Sequence, residues 1–173
     1  MKAFIKAMCI SLICMLFSAC DKSLLDVDFT YTAKSMTFQI DSTTQGKVLA
    51  LDTVLIDNTS FDSVVKANKA QKSDIESIKI SSITVVPDSG RDDIFQSLDG
   101  YLVADGLSEQ KIMHANYAAT IQAGINPIIY DVQLLDYINK PSMKFRAVAV
   151  AGVNTKEISK VKITIKYKIT AKI

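Results

Sequence analysis

From Lys160 to Ile173 the chain alternates without a fault. Val161, Ile163, Ile165, Tyr167, Ile169, Ala171 and Ile173 take one phase, and Lys160, Lys162, Thr164, Lys166, Lys168, Thr170 and Lys172 take the other. Successive side chains of a strand point to opposite faces, whereas a helix would scatter these residues around its circumference. A strand that is apolar on one side and cationic on the other belongs to a sheet with one packed and one wet face.

Other segments repeat the pattern. Val27, Phe29 and Tyr31 alternate with Asp28, Thr30 and Thr32; Met36, Phe38 and Ile40 alternate with Thr37 and Gln39. Ser42 to Gly46 reads as a turn, and Lys47 to Ile56 as a more fully apolar strand. Ile78 and Ile80 share one phase while Ile83 and Val85 share the other, so the slip at Ser81-Ser82 predicts a β-bulge. Pro87 to Gly90 is expected to break the chain. Gly100 to Ala104, Lys111 to Tyr117, Ile128 to Val132 and Met143 to Val150 are further predicted strands. Gly100, Gly106, Gly124 and Gly152 read as turns.

Two short helices are predicted. Ser60 is placed to cap one from Phe61 to about Gln71, because a serine oxygen can accept the free N–H groups of a first turn. A second runs from Gln133 to Asn139 and stops before Pro141. Many short strands and few helices predict an all-β fold: an antiparallel sandwich of immunoglobulin-like or jelly-roll type. It would be a single domain over residues 27–173, with no repeat or linker dividing it.

The start of the chain is of another kind. Lys2 and Lys6 precede an uncharged run from Ala7 to Ala19, 13 residues long. A bilayer span needs roughly 20 residues. A charged start, an apolar centre and small residues at the end make a secretory signal. The ending Leu16-Phe17-Ser18-Ala19-Cys20 resembles the lipobox of bacterial lipoproteins. Phe17 holds the place that leucine usually takes there, with Leu16 one residue earlier. The resemblance covers about the first 20 residues. It implies a signal helix removed after residue 19, a diacylglycerol and further acyl chain such as palmitate on Cys20, and a cell-envelope location. Ordinary secretion with cleavage near Ala19 is the alternative. Residues 20–26 would then be a short tether: from Cys20 to Val27 the chain reaches at most about 25 Å.

Removing residues 1–19 takes away Lys2, Lys6 and no acid, so the 20 basic residues become 18 against 18 acidic ones. A neutral chain gives no reason to expect nucleic acid as a partner. Cys9, Cys14 and Cys20 are the three cysteines. A lipidated Cys20 leaves no thiol for a disulfide, so stability must come from core burial.

The remaining residues offer little catalytic chemistry. His114 is the single histidine. It is predicted on a strand, facing away from Met113. A Ser-His-Asp relay assembles in space rather than in sequence, but the chain has no Gly-x-Ser-x-Gly elbow. One imidazole and no thiol do not complete a zinc shell. Asp88-Ser89-Gly90-Arg91-Asp92-Asp93 is the best oxygen-ligand cluster, yet it lacks the order of a calcium loop. It reads as a turn, with Asp92 or Asp93 starting a short helical segment. Asp52 with Asp57, and Asp131 with Asp136, are the carboxylate pairs that a glycosidase would require. The lysine face of residues 160–172 reads as a solvated outer face, or as a surface for anionic lipid or polysaccharide.

These readings predict no catalytic residue, no cofactor and no metal, with Cys20 as the lipidation site. The mature domain is similar in general look to uncharacterised β-sandwich lipoproteins of the Bacteroides group, which favours the outer membrane. The expected function is a membrane-anchored, non-enzymatic binding, adhesion or scaffold module with a protein or polysaccharide partner in the envelope. The alternative is a small envelope hydrolase acting on glycans or peptides.

Overall fold

The computed structural model describes residues 25–90, 93–117 and 127–173. Cys20, most of the tether, Arg91, Asp92 and Gly124 lie outside them.

The alternating segment from Ser159 to Lys172 (β10) is the centre of the first sheet. Asp26–Thr32 (β1) and Met36–Ile40 (β2) follow one another along one edge of β10, and Ile75–Ser89 (β5) lines its other edge. In the second sheet Val48–Ala50 (β3) and Val54–Leu55 (β4) share one edge of Lys144–Ala151 (β9). Phe95–Val103 (β6), Gln110–Asn116 (β7) and Ile128–Ile129 (β8) continue beyond β9. Every pairing is antiparallel. The two sheets pack face to face, and the chain changes sheet between β2 and β3, β4 and β5, β5 and β6, and β9 and β10. A bridge between Thr43 and Thr155 ties two of the crossing loops at one end.

The alternation decides which side goes inward. Ile163, Ile165, Tyr167 and Ile169 of β10 are fully buried, as are Leu98 and Leu102 of β6 and Phe145 and Ala147 of β9. Phe38 meets Phe145 across the two sheets at 5.9 Å between ring centroids. Burial of one such side chain contributes about 1.5–3 kcal/mol.

The slip expected at Ser81-Ser82 is present. Lys166 pairs with Ser82 and Tyr167 with Ile80, so Ser81 is the extra residue, and its hydroxyl donates to Lys166 O at 3.1 Å. Two further slips place Glu76 and Asp88 outside the ladder. Pro87 does not break the chain as expected, since β5 runs through it to Ser89. Among the described residues β10 is the only strand paired with β5, and a proline without a donor is tolerated on such an edge, at a bulge.

Three predicted strands are shorter or longer in the fold. Lys47–Ile56 is two pieces with Leu51 to Thr53 between them, and Ile128–Val132 keeps only two paired residues. β6 starts five residues before the predicted Gly100, because pairing with β9 recruits the mixed stretch Phe95–Asp99. Gly100 is therefore no turn: it is a buried strand residue, and a Cβ there would lie 2.5 Å from Met113 Cγ and 2.7 Å from Phe145 Cζ. Gly106, with φ +77°, does serve a turn.

The predicted helices are also shorter. The first is Phe61–Ala67 (α1), which buries Phe61 and Val65. Phe61 sets its edge on Tyr31 at 5.3 Å, and Tyr31 stacks on Tyr167 at 5.9 Å. Ser60 stands at the cap position but makes no side-chain cap; its hydroxyl donates to Tyr31 Oη at 3.3 Å. α1 stops early because Lys69 enters the left-handed region, with φ 61°. Lys69 N–H then donates to Lys66 O and Ala70 N–H to Val65 O, the bond pattern of a Schellman stop that usually places glycine there. The second helix is one turn, Leu135–Ile138 (α2). Just before it, the Leu134 N–H donates to Ile78 O at 2.9 Å and the Ile78 N–H to Gln133 Oε1 at 2.8 Å. That segment docks on the free edge of β5.

Candidate functional site

The outer face of the second sheet gathers what chemistry the described residues hold. The β6–β7 register sets Asp99 opposite His114, and His114 Nδ1 lies 2.6 Å from Asp99 Oδ1. Lys111 Nζ reaches the same oxygen at 2.9 Å and stands 5.8 Å above the Tyr130 ring. Partial burial disfavours charge on Asp99, but the hydrogen bonds and charges of Lys111 and His114 outweigh it. The Asp99 carboxyl is thus held below its ordinary 3.8. The hydrogen bond that Lys111 donates to Asp99 likewise holds Lys111 above its ordinary 10.5. Alongside, the Arg146 guanidinium covers the Tyr101 ring at 4.4 Å and donates through Nε to Glu109 at 2.8 Å.

His114 lies on a strand and faces away from the fully buried Met113, as its phase implies. Asp99 was not singled out by the sequence. Finding it requires the hairpin register, which is shifted by the extra residue Ile112 between Tyr101 and Gly100 partners. An aspartate holding a histidine through Nδ1 is the orienting half of a Ser-His-Asp relay. Among the described residues Asp99 is the sole hydrogen-bond partner of the His114 ring, and no group of three or more His, Cys, Asp or Glu side chains is placed to hold a metal.

The other carboxylates serve local bonding. Asp57 accepts from Thr59 Oγ1 at 2.7 Å and Thr59 N–H at 3.0 Å, and these bonds keep its carboxyl below the ordinary value. Asp52 stands exposed in the gap between β3 and β4. Asp131 pairs with Lys79 at 2.9 Å; it and Asp136 line one surface hollow with Tyr137. Asp88 pairs with Lys162 at 2.9 Å. No helical segment starts at Asp93, since Phe95 already opens β6. The chain turns instead at Gly90, with φ +79°.

An open groove of about 640 Å³ lies at the α1 end. Ile56, Phe61 and Ile138 supply apolar walls, and Asp57, Asp62, Lys72 and Lys140 the polar rim. Asp62 and Lys72 are paired at 2.7 Å. Asn58 Oδ1 is buried beside the groove without a hydrogen-bond partner.

The two outer faces differ in kind. That of the first sheet is threonine, serine and lysine, and three of its five β10 lysines meet acids: Lys168 with Asp28, Lys172 with Glu76, Lys162 with Asp88. That of the second sheet carries aliphatic and aromatic residues around the Asp99 cluster. Val48 pairs with Val150, and Ala50 with Val148. Val48 is 63% exposed, Ile128 62% and Tyr130 39%.

No protein-family profile matches the chain, and no curated protein or solved structure resembles it significantly.

Proposed function

We propose that this chain is a lipid-anchored module of the bacterial cell envelope, held to the membrane through acylated Cys20, that binds a protein or polysaccharide partner rather than transforming a substrate. The outer membrane is the favoured address. The observation that carries the binding reading is the outer face of the second sheet. Val48, Val148, Val150, Tyr101, Tyr130 and Ile128 surround a charged centre there. Soluble proteins seldom leave large apolar patches uncovered, and those rimmed by polar groups mark interaction sites. Tyrosine and arginine together suit such a role, because both offer broad contact area with polar ends.

Within the all-β sandwich we favour the jelly-roll type over the immunoglobulin-like one. The strand order supports it. With β1/β2 and β3/β4 each counted as one broken strand, the first sheet reads first, last, third. The second reads second, last but one, fourth, fifth, with the two residues of β8 added at the far edge. The segment after β8 returns to the free edge of β5, where the remaining strand of an eight-stranded jelly roll belongs.

The hydrolase reading draws on the Asp99–His114 pair alone, and among the described residues no nucleophile is bonded to it. Affinity purification of the acylated protein from native envelope tests the binding reading. The partner should remain with the wild type and with Lys166→Ser, and be lost with Val150→Lys or Tyr101→Ala. Equal recovery by all four forms would remove the second sheet from the interaction.

A further inference from the structure

We infer that the sandwich stands end-on to the bilayer, with Leu25 and Ile173 as its membrane-contacting tip, an inference that rests on the acylated-Cys20 reading. The two residues exchange both backbone hydrogen bonds, at 2.8 and 3.0 Å, and so extend the β1–β10 ladder by one rung. At that rung two large aliphatic side chains meet water, Leu25 at 66% exposure and Ile173 at 38%.

Chain length selects this end. Leu25 is five Cα steps from Cys20, a reach of at most about 18 Å. The 14 residues of β10 carry the sheet roughly 45 Å to its other end. The exposed Ile158, beside that far end, thus lies beyond the tether. An acylated Cys20 holds Leu25 and Ile173 at the headgroup boundary, where burying apolar surface is favourable.

The alternative posture lays the lysine face flat on anionic lipid. The ion pairs oppose it. Lys162, Lys168 and Lys172 each face an acid within 3.2 Å, and Lys79 at the sheet's edge faces Asp131 at 2.9 Å. Each such pair is neutral overall, so it draws an anionic surface less than a bare lysine would. End-on, both outer faces and the loops tied by Thr43 and Thr155 stay clear of the membrane.

The chain contains no tryptophan, so a single introduced one reports its surroundings cleanly. The full chain is made with Ile173→Trp, Leu25→Trp or Ile158→Trp, purified in its acylated form, and reconstituted in phosphatidylcholine vesicles with plain or brominated acyl chains. Mass spectrometry records the state of Cys20, and circular dichroism shows that each variant is folded. Bromine should quench most of the emission at positions 173 and 25 and leave position 158 unchanged. Equal quenching at 173 and 158 means a flat posture and overturns the inference. So does the absence of quenching at 173 and 25 when Cys20 is acylated, an outcome that leaves the anchor standing. An unmodified Cys20 instead removes the anchor, and the inference falls with it.

Discussion

Gly100→Ala adds one methyl group to the most crowded point between the sheets. Its Cβ would stand 2.5 Å from Met113 Cγ, 2.7 Å from Phe145 Cζ and 2.9 Å from Phe145 Cε2. Carbon atoms prefer roughly 3.5–4.0 Å, so about 1 Å must be found on each side. Met113 is flexible and can swing. Phe145 is fully buried and lies against Phe38, so its ring has nowhere to go. Overpacking of this kind costs typically 1–3 kcal/mol. The φ of Gly100 is outside the left-handed range, so alanine adopts it without strain, and the smaller entropy of the unfolded chain returns about 0.4–1 kcal/mol. The net expectation is a loss of about 1–2 kcal/mol, read as a lower urea midpoint with an unchanged slope. The partner is testable too. Phe145→Leu alone should destabilise by leaving space, while the double variant should lose less than the sum, since residues in contact couple by about 0.5–3 kcal/mol. A neutral or stabilising Gly100→Ala, or strict additivity with Phe145→Leu, would refute the packing argument.

Two further outcomes follow from other parts of the fold. Ile165→Ala, at a fully buried site, should cost roughly 2–5 kcal/mol, while the exposed Lys166→Ser should stay within about 0.5 kcal/mol; the reverse order in denaturant unfolding would mean that the faces of β10 are misassigned. Because the Asp99 carboxyl is held down in the fold, its stabilising contribution is present above the unfolded value and is lost as pH falls through the folded one, below about pH 4. Asp99→Asn should therefore flatten the acid limb of a Tm-against-pH curve, and parallel curves would show that the cluster contributes nothing to acid stability.

Much of the first sheet was legible because its residues obey period two. From Val161 to Ala171 each expected inward residue is buried, and the Ser81 bulge shows as a phase slip. The second sheet was harder to read. From Ala147 to Ala151 β9 carries valine outward and alanine inward, so the two phases of that stretch are equally apolar and only Lys144, Phe145 and Arg146 mark which face is packed. β6 hides Gly100 in the core, where composition suggests a turn. The α1 stop uses Lys69 where a glycine would have been visible. The Asp99–His114 pair depends on a register set by one extra residue in β7, which no local pattern reveals. Cys20 is legible only as a motif, and lies outside the described residues.

Two of the places where strand prediction erred, the split of Lys47–Ile56 and the shortness of β8, lie at sheet edges. A sheet edge exposes unpaired N–H and C=O groups, and a long flat one invites pairing with another chain. The edge beside β10 is broken at Ala33 to Ser35 into β1 and β2, and the edge beside β9 is broken into β3 and β4. On the far side of the second sheet β8 is two residues long. β5 is the one long edge, with 15 residues, and it departs from a flat ladder three times, with Pro87 near its end and Gln133 and Leu134 bonded to Ile78. Hydrophobic pattern alone favours a continuous strand over Lys47–Ile56, whereas it already shows the break between β1 and β2 and the slip at Ser81. The interruptions follow a different requirement, that each edge be too short or too distorted to recruit a neighbour. On the membrane-anchored chain proposed above, that requirement is heavier than on one free in solution, because copies side by side meet edge to edge.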